Sequence, residues 1–323
     1  MLSPLLRRTA GDAVFYLLML WSTALAGIVI GDWVCGKVYY AGWSRSQEGK
    51  KAAISRSRIA DVFFRLIALP FRGTMRAIVL KDVKLFFRDT SQWSQLFLLF
   101  ALMVVYIYSF KLLPVERAAM PSFFVQNLIS FLNLGMVGFV TASVAIRFVF
   151  PAVSLEGASF WIIRSAPLSI RDFLWAKFWS SLLPLLVLSE VLIVLSNTLL
   201  KVTPFMMALG IGTVFMMTFG ITAMGVGLGA VFPRFKHENV AQIPTGFGGI
   251  VYMLLTMLFI GVVILLEAWP VYRIFTAQTM GSHIPASGWA SISASFLLVV
   301  IVNVLALFLP MKIGLDRLYQ REI

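Results

Sequence analysis

The chain has 323 residues, of which 60% are hydrophobic and 13% charged, against about 45–50% and about 25% in soluble globular proteins. Its mean hydropathy is +0.90, yet 27 Lys and Arg outnumber 14 Asp and Glu, for a formal charge of +13. A basic chain this apolar is built for lipid, which excludes a soluble enzyme, a nucleic-acid-binding module and a disordered tail. The one cysteine, Cys35, cannot form an intrachain disulfide, and no Cys/His spacing suits zinc.

A helix crosses a hydrocarbon core of about 30 Å with about 20 mainly apolar residues. In chain order the stretches that qualify are 13–34, 95–113, 122–148, 178–200, 204–232, 249–266 and 290–309. Each is apolar over several turns and lacks the alternation of a membrane strand, so helices are expected and not a barrel. The fold class is an all-α integral membrane protein with about seven transmembrane helices, an amphipathic interfacial elbow helix and a short cytoplasmic helix. Placing segments 37–88, 147–177, 234–236 and 312–321 on one side gathers 21 basic residues there and leaves six opposite. That asymmetry puts the N-terminus outside and the C-terminus in the cytoplasm, in a multi-pass protein of the cytoplasmic (inner) membrane. Arg7 and Arg8 alone argue for the reverse, and inverting the first span would send the dozen basic residues after it to the wrong side. A secretory signal peptide is disfavoured because the first apolar run exceeds about 7–15 residues.

Between the first and second spans lies GWSRSQEGKKAAISRSRIADVFFR, the most polar stretch of the chain. It reads as a basic cytoplasmic linker attracted to anionic headgroups. It divides the chain into 1–57, one helix and the linker, and 58–323, a six-helix domain. In MRAIVLKDVKLFFRD, Val79, Val83, Phe86 and Phe87 share one helical face while Lys81, Lys84 and Arg88 line the other, as in a helix lying in the interface plane.

Polar residues inside the spans are the next signal. Glu190, in LVLSEVLIVLS, costs roughly 2.5–3.5 kcal/mol near a bilayer centre. It is expected either to share a hydrogen bond with Ser189 or Asn133 or to line a substrate path. Gly225 and Gly229 have the G-x-x-x-G spacing that lets helices approach closely, with a flexible pathway lining as the alternative. The loop 154–177 carries the run Phe160, Trp161, Ile162 and Ile163, then Pro167 as a break. Ser169 followed by Asp172 predicts a helix starting near Ile170. The alternative for the aromatic run is an interface anchor in the headgroup layer.

Three segments, KDVKLFFRDTSQWSQ, SLEGASFWIIRSAPLSIRDFLWAKF and GLGAVFPRFKHENVAQIPTGFGGIVYM, resemble the permease subunits of ATP-binding cassette exporters, of the type 2 permease class and its putative-exporter branch. The resemblance covers about 58–323, and YYAGWSRSQEG looks like the end of a preceding permease half, with Met1 then an internal start or truncation point. It implies a permease that translocates an unidentified substrate with energy from a separate cytoplasmic ATPase, and a second permease half or copy beside it. ATP and magnesium would bind the partner, with no cofactor and no enzymatic activity in this chain. In keeping with this, no G-x-x-x-x-G-K-[ST] phosphate loop occurs. The resemblance also implies that the segment after Ser154 couples to the ATPase through Glu156, Trp161, Arg164 and Asp172. Competing expectations are a proton-coupled transporter using Glu190 and a non-transporting membrane scaffold.

Overall fold

A computed structural model describes residues 3–47, 71, 73–88, 97, 100–101, 103–109, 122–165, 168–235, 240–280 and 285–320. Among them the regular structure is all helical: α1 (Ser3–Gln47), α2 (Gly73–Arg88), α3 (Ser122–Phe148), α4 (Phe160–Ser165), α5 (Ile170–Leu200), α6 (Pro204–Val231), α7 (Phe247–Met280) and α8 (Ala286–Gln320), with short 3-10 turns at Phe150–Ala152, Ser154–Ser159 and Val240–Gln242. Among the described residues six helices are long and apolar enough to cross a membrane. Within the other expected span, 95–113, the described residues are 97, 100–101 and 103–109, and all of them are helical.

The chain divides into two units, Met1–Val62 and Phe63–Ile323. In the first, α1 is 45 residues long, and residues 13–37 are all exposed. Ser22 and Thr23 return their hydroxyls to the carbonyls of Met19 and Leu20, so neither presents an unsatisfied polar group to an apolar solvent.

In the second unit α6 is the central element. It is apolar all round, as a helix enclosed by others must be, and residues 220–230 are all buried. It packs along α8 and α5 most extensively, and also against α3 and α7. The antiparallel order gives the bundle two ends. One carries the α3–α5 connection, the end of α6, the start of α7 and the end of α8, which are the basic segments; the other carries the α5–α6 turn, the end of α7 and the start of α8.

At the basic end, backbones touch. A Cβ added at Gly229 would collide with the carbonyl of Phe150, one at Gly227 with the carbonyl of Pro310, and one at Gly314 with the carbonyl of Gly227. Gly225 is closed off by the side chain of Val149. Gly225 and Gly229 therefore serve close packing against the turn after α3, while Gly227, on another face of α6, brings α8 equally near.

Two helix starts follow local chemistry. Ser169 caps α5, its hydroxyl accepting the Asp172 N–H at 3.0 Å, and the helix begins at Ile170 as the Ser/Asp spacing predicts. Thr203 caps α6 through the Met206 N–H, with Pro204 in the first turn. The break assigned to Pro167 lies outside the described residues.

The span expected to stop at 266 belongs to a helix that continues to Met280. An apolar window ends at the first charge, Glu267. The helix does not, because its backbone bonds are satisfied internally and Thr213 bonds the carboxyl.

Candidate functional site at the basic end of the bundle

Four charged side chains meet where α2, the 3-10 segment Ser154–Ser159 and α5 converge. Glu156 Oε1 accepts from Lys81 Nζ at 2.5 Å and from Lys177 Nζ at 2.6 Å. Lys177 also donates to both oxygens of Asp82, each at 2.8 Å, and Lys81 lies 3.6 Å from Asp82. The cluster is charge-balanced, two ammonium groups against two carboxylates. Lys177 is its centre, with its side chain only 4% exposed against 40% for Lys81.

Each element is held in place by apolar contacts. Val79 of α2 is buried with Phe71 and Ala176, flanked by Met75, Ile78, Val83 and Trp179, so the face read from spacing packs on the foot of α5. Phe86 meets Phe148 edge-on at 6.1 Å. Lys84 is exposed; the side chains of Phe87 and Arg88 lie outside the described residues. Ser154 is buried and accepts the backbone N–H of Arg234 at 3.1 Å, tying this segment to the residues after α6. Gly157 has φ 54° and ψ −139°, a conformation costly for any residue with a Cβ, and it turns the chain from Glu156 into α4.

The short helix α4 is pinned by Phe160, which stacks on Phe235 at 4.9 Å and meets Phe173 edge-on at 5.8 Å. Its next residue, Trp161, is 63% exposed. Asp172 is exposed at the first turn of α5, and the Arg164 side chain lies outside the described residues. Of the residues expected to face an ATPase, Trp161 and Asp172 are therefore exposed. Glu156 is corrected, because its carboxylate is turned inward and occupied by two lysines. The sequence reading missed Lys177 and Asp82 as partners, counting Lys177 only towards topology. A lone Lys in the apolar run FLWAKFW was the available signal, since an ammonium on a core-facing stripe needs a carboxylate.

The other half of the bundle holds a set of neutral polar links. Thr203 donates its N–H and hydroxyl to Asn127 Oδ1, Ser130 donates to Asn197 Oδ1 at 2.8 Å, and Asn133 donates to Ser196 at 2.7 Å while accepting from Tyr106. The Ser130–Asn197 and Asn133–Ser196 bonds join α3 to α5, and the Thr203–Asn127 bonds join α3 to the start of α6, all in a low-dielectric surround that favours them. Thr213 donates to Glu267 Oε1 at 2.6 Å, and Glu267 is 1% exposed, a buried carboxyl that the shorter span had left out.

The partners expected for Glu190 are corrected as well. Ser189 pairs with Thr218 at 2.9 Å, and Asn133 is taken by Ser196 and Tyr106. Glu190 is half-buried, and its buried Oε1 has no hydrogen-bond partner among the described residues. Glu190→Gln is expected to leave monodisperse yield from membranes near that of the parent. Glu190→Lys, which places a longer cation among apolar neighbours, is expected to lower it severalfold, and equal yields would show that the site faces water.

Six helices of bilayer length, with no strand among the described residues, place the chain in the class of all-helical, multi-pass membrane proteins. It belongs to the protein family described as "Putative ATP-binding cassette", which matches residues 5–323. This corrects the assignment to the type 2 permease class of exporters: the matched family is described by its ATP-binding cassette, and the match takes in the first helix rather than 58–323 alone. No curated protein and no solved structure matches the chain.

Proposed function

We propose that this chain is the membrane-embedded, substrate-translocating component of an ATP-binding cassette transporter, working with a separate cytoplasmic ATPase and a second membrane half or copy. The observation that carries this reading is the presence of six bilayer-length helices in a chain of that family. A sequence without the phosphate loop by which such cassettes hold nucleotide supports placing hydrolysis in a partner. In this reading the basic end is cytoplasmic, with the N-terminus of α1 outside. There α2 acts as the elbow, and α4 with the segment before it receives the ATPase. The ion cluster makes α2, that segment and α5 move as one body, so a push on α4 reaches a spanning helix. Trp161, exposed beside a fixed Phe160, is the contact most directly presented.

The family's description favours a second reading, in which this chain itself binds ATP. One experiment separates the two. The chain is purified alone and with a candidate cytoplasmic ABC ATPase, and nucleotide binding, hydrolysis and co-elution are measured. Co-elution with hydrolysis only in the presence of the partner is expected, weakened about tenfold by Trp161→Ala without loss of the monodisperse peak. Nucleotide bound or hydrolysed by the chain alone would establish the second reading.

A further inference from the structure

At the basic end, α5 and α8 line an open recess of about 230 Å³ whose two walls repeat one arrangement. Arg171 stands one helical turn before Trp175 on α5, and Lys312 stands one turn after Phe308 on α8. Because the helices are antiparallel, both cations lie towards the basic end and both rings lie deeper. The rings touch across the gap, centroids 6.3 Å apart. Leu174 and Met311, both buried, line it as well, with Leu315.

Arg171 and Lys312 are exposed, and among the described residues neither makes an ion pair. Asp172 and Asp316, the carboxylates nearest in sequence, do not line the recess, and Arg317 adds a further cation to this end of α8. The depth fits a membrane boundary. α5 is 31 residues long, about 46 Å at 1.5 Å per residue, so its first turn stands clear of a core of about 30 Å. Lys312 follows directly on the apolar run that ends at 309.

We propose that this recess is a binding site for an anionic phospholipid, its phosphate held between Arg171 and Lys312 and the upper part of one acyl chain lying over Trp175 and Phe308. The inference rests on the membrane-embedded reading above. Two unpaired cations over touching aromatic rings match a ligand that is anionic at one end and apolar at the other; free phosphate would use the cations and leave the rings uncovered. Basic recesses between helices on the cytoplasmic side are where acidic headgroups bind.

The test uses the full chain in detergent, stripped of lipid and titrated with phosphatidylglycerol or phosphatidylcholine under native mass spectrometry. One tightly retained phosphatidylglycerol is expected, with phosphatidylcholine much weaker and glycerol phosphate a poor competitor. Losing a cation near an anionic headgroup weakens binding roughly fivefold, so Arg171→Ala with Lys312→Ala is expected to weaken phosphatidylglycerol roughly 25-fold. Lys201→Ala, an exposed cation at the other end, should change nothing. Equal retention of both lipids, or no difference between the double variant and the parent, would overturn the proposal. So would a double variant that keeps its lipid and loses the ATPase, which would assign the two cations to an acidic protein surface. Failure of the chain to remain in carbonate-washed membranes would instead overturn the membrane-embedded reading.

Discussion

Gly227→Ala is expected to break the packing of α6 on α8. The added Cβ would fall on the carbonyl of Pro310, while Gly314 opposite is closed by the carbonyl of Gly227 itself. A clash with a flexible side chain is relieved by a rotamer change; here both obstacles are backbone, so α6 and α8 must separate. Overpacking a filled interior costs typically 1–3 kcal/mol. A backbone obstacle lies at or above the top of that range, and about 3 kcal/mol or more is expected, read as a loss of monodisperse protein and a large fall in thermal midpoint. Gly212→Ala, in the same helix with nothing within 4 Å of the added atom, is the matched control and should be neutral or slightly stabilising, since alanine is the better helix former by about 1 kcal/mol. Equal effects at the two positions would show that α6 and α8 are not in backbone contact.

Lys177→Ala is expected to rank next. Its ammonium is nearly buried and lies within hydrogen-bonding distance of both Asp82, at 2.8 Å, and Glu156, at 2.6 Å, whereas Lys81 stands 3.6 Å from Asp82. Removing it leaves two carboxylates facing each other with only the half-exposed Lys81 between them. Breaking a buried pair by removing one partner costs about 3–5 kcal/mol, because the remaining charge is stranded. Lys81→Ala, at a side chain 40% exposed, should cost no more than about 1 kcal/mol. Unfolding midpoints of the two variants in one detergent provide the comparison. Adding Asp82→Asn and Glu156→Gln to Lys177→Ala should recover part of the loss, since the stranded charges go with it. A triple variant as poor as the single would mean that packing of the lysine stem, rather than charge, holds the three segments.

The arrangement also redirects any mutational test of coupling. Charge reversal at Glu156 would place an ammonium against Lys81 and Lys177, so a transport defect there would report a disturbed fold as much as a lost partner contact. Trp161 is free of that ambiguity, because the neighbouring Phe160 anchors α4.

How much was legible beforehand differed by feature. The positions of the long helices follow from continuous apolar length, because a helix is the only open segment that satisfies its backbone in lipid; the start of α5 followed from a capping side chain acting within one turn. Both are local. The end of α7 was misjudged because hydropathy counts Glu267 as a boundary without knowing that Thr213, 54 residues away, bonds it. The partners of Glu190 were misjudged for a related reason: Ser189 and Asn133 were the nearest candidates by composition, and both were taken by other residues.

By itself, then, the sequence determined that this is a helical membrane chain, where its apolar helices run, which end is basic and how α5 and α6 begin. Only the tertiary structure decided which charges pair and which small residues touch. Lys177 and Asp82 are 95 residues apart, and Gly227 and Gly314 sit on different helices. The physical reason is that a soluble helix declares its buried face by amphipathicity, whereas α6 is apolar on every side. Its rotation is set by where neighbouring backbones fit and where buried polar groups find partners, and neither leaves a periodic mark in the sequence.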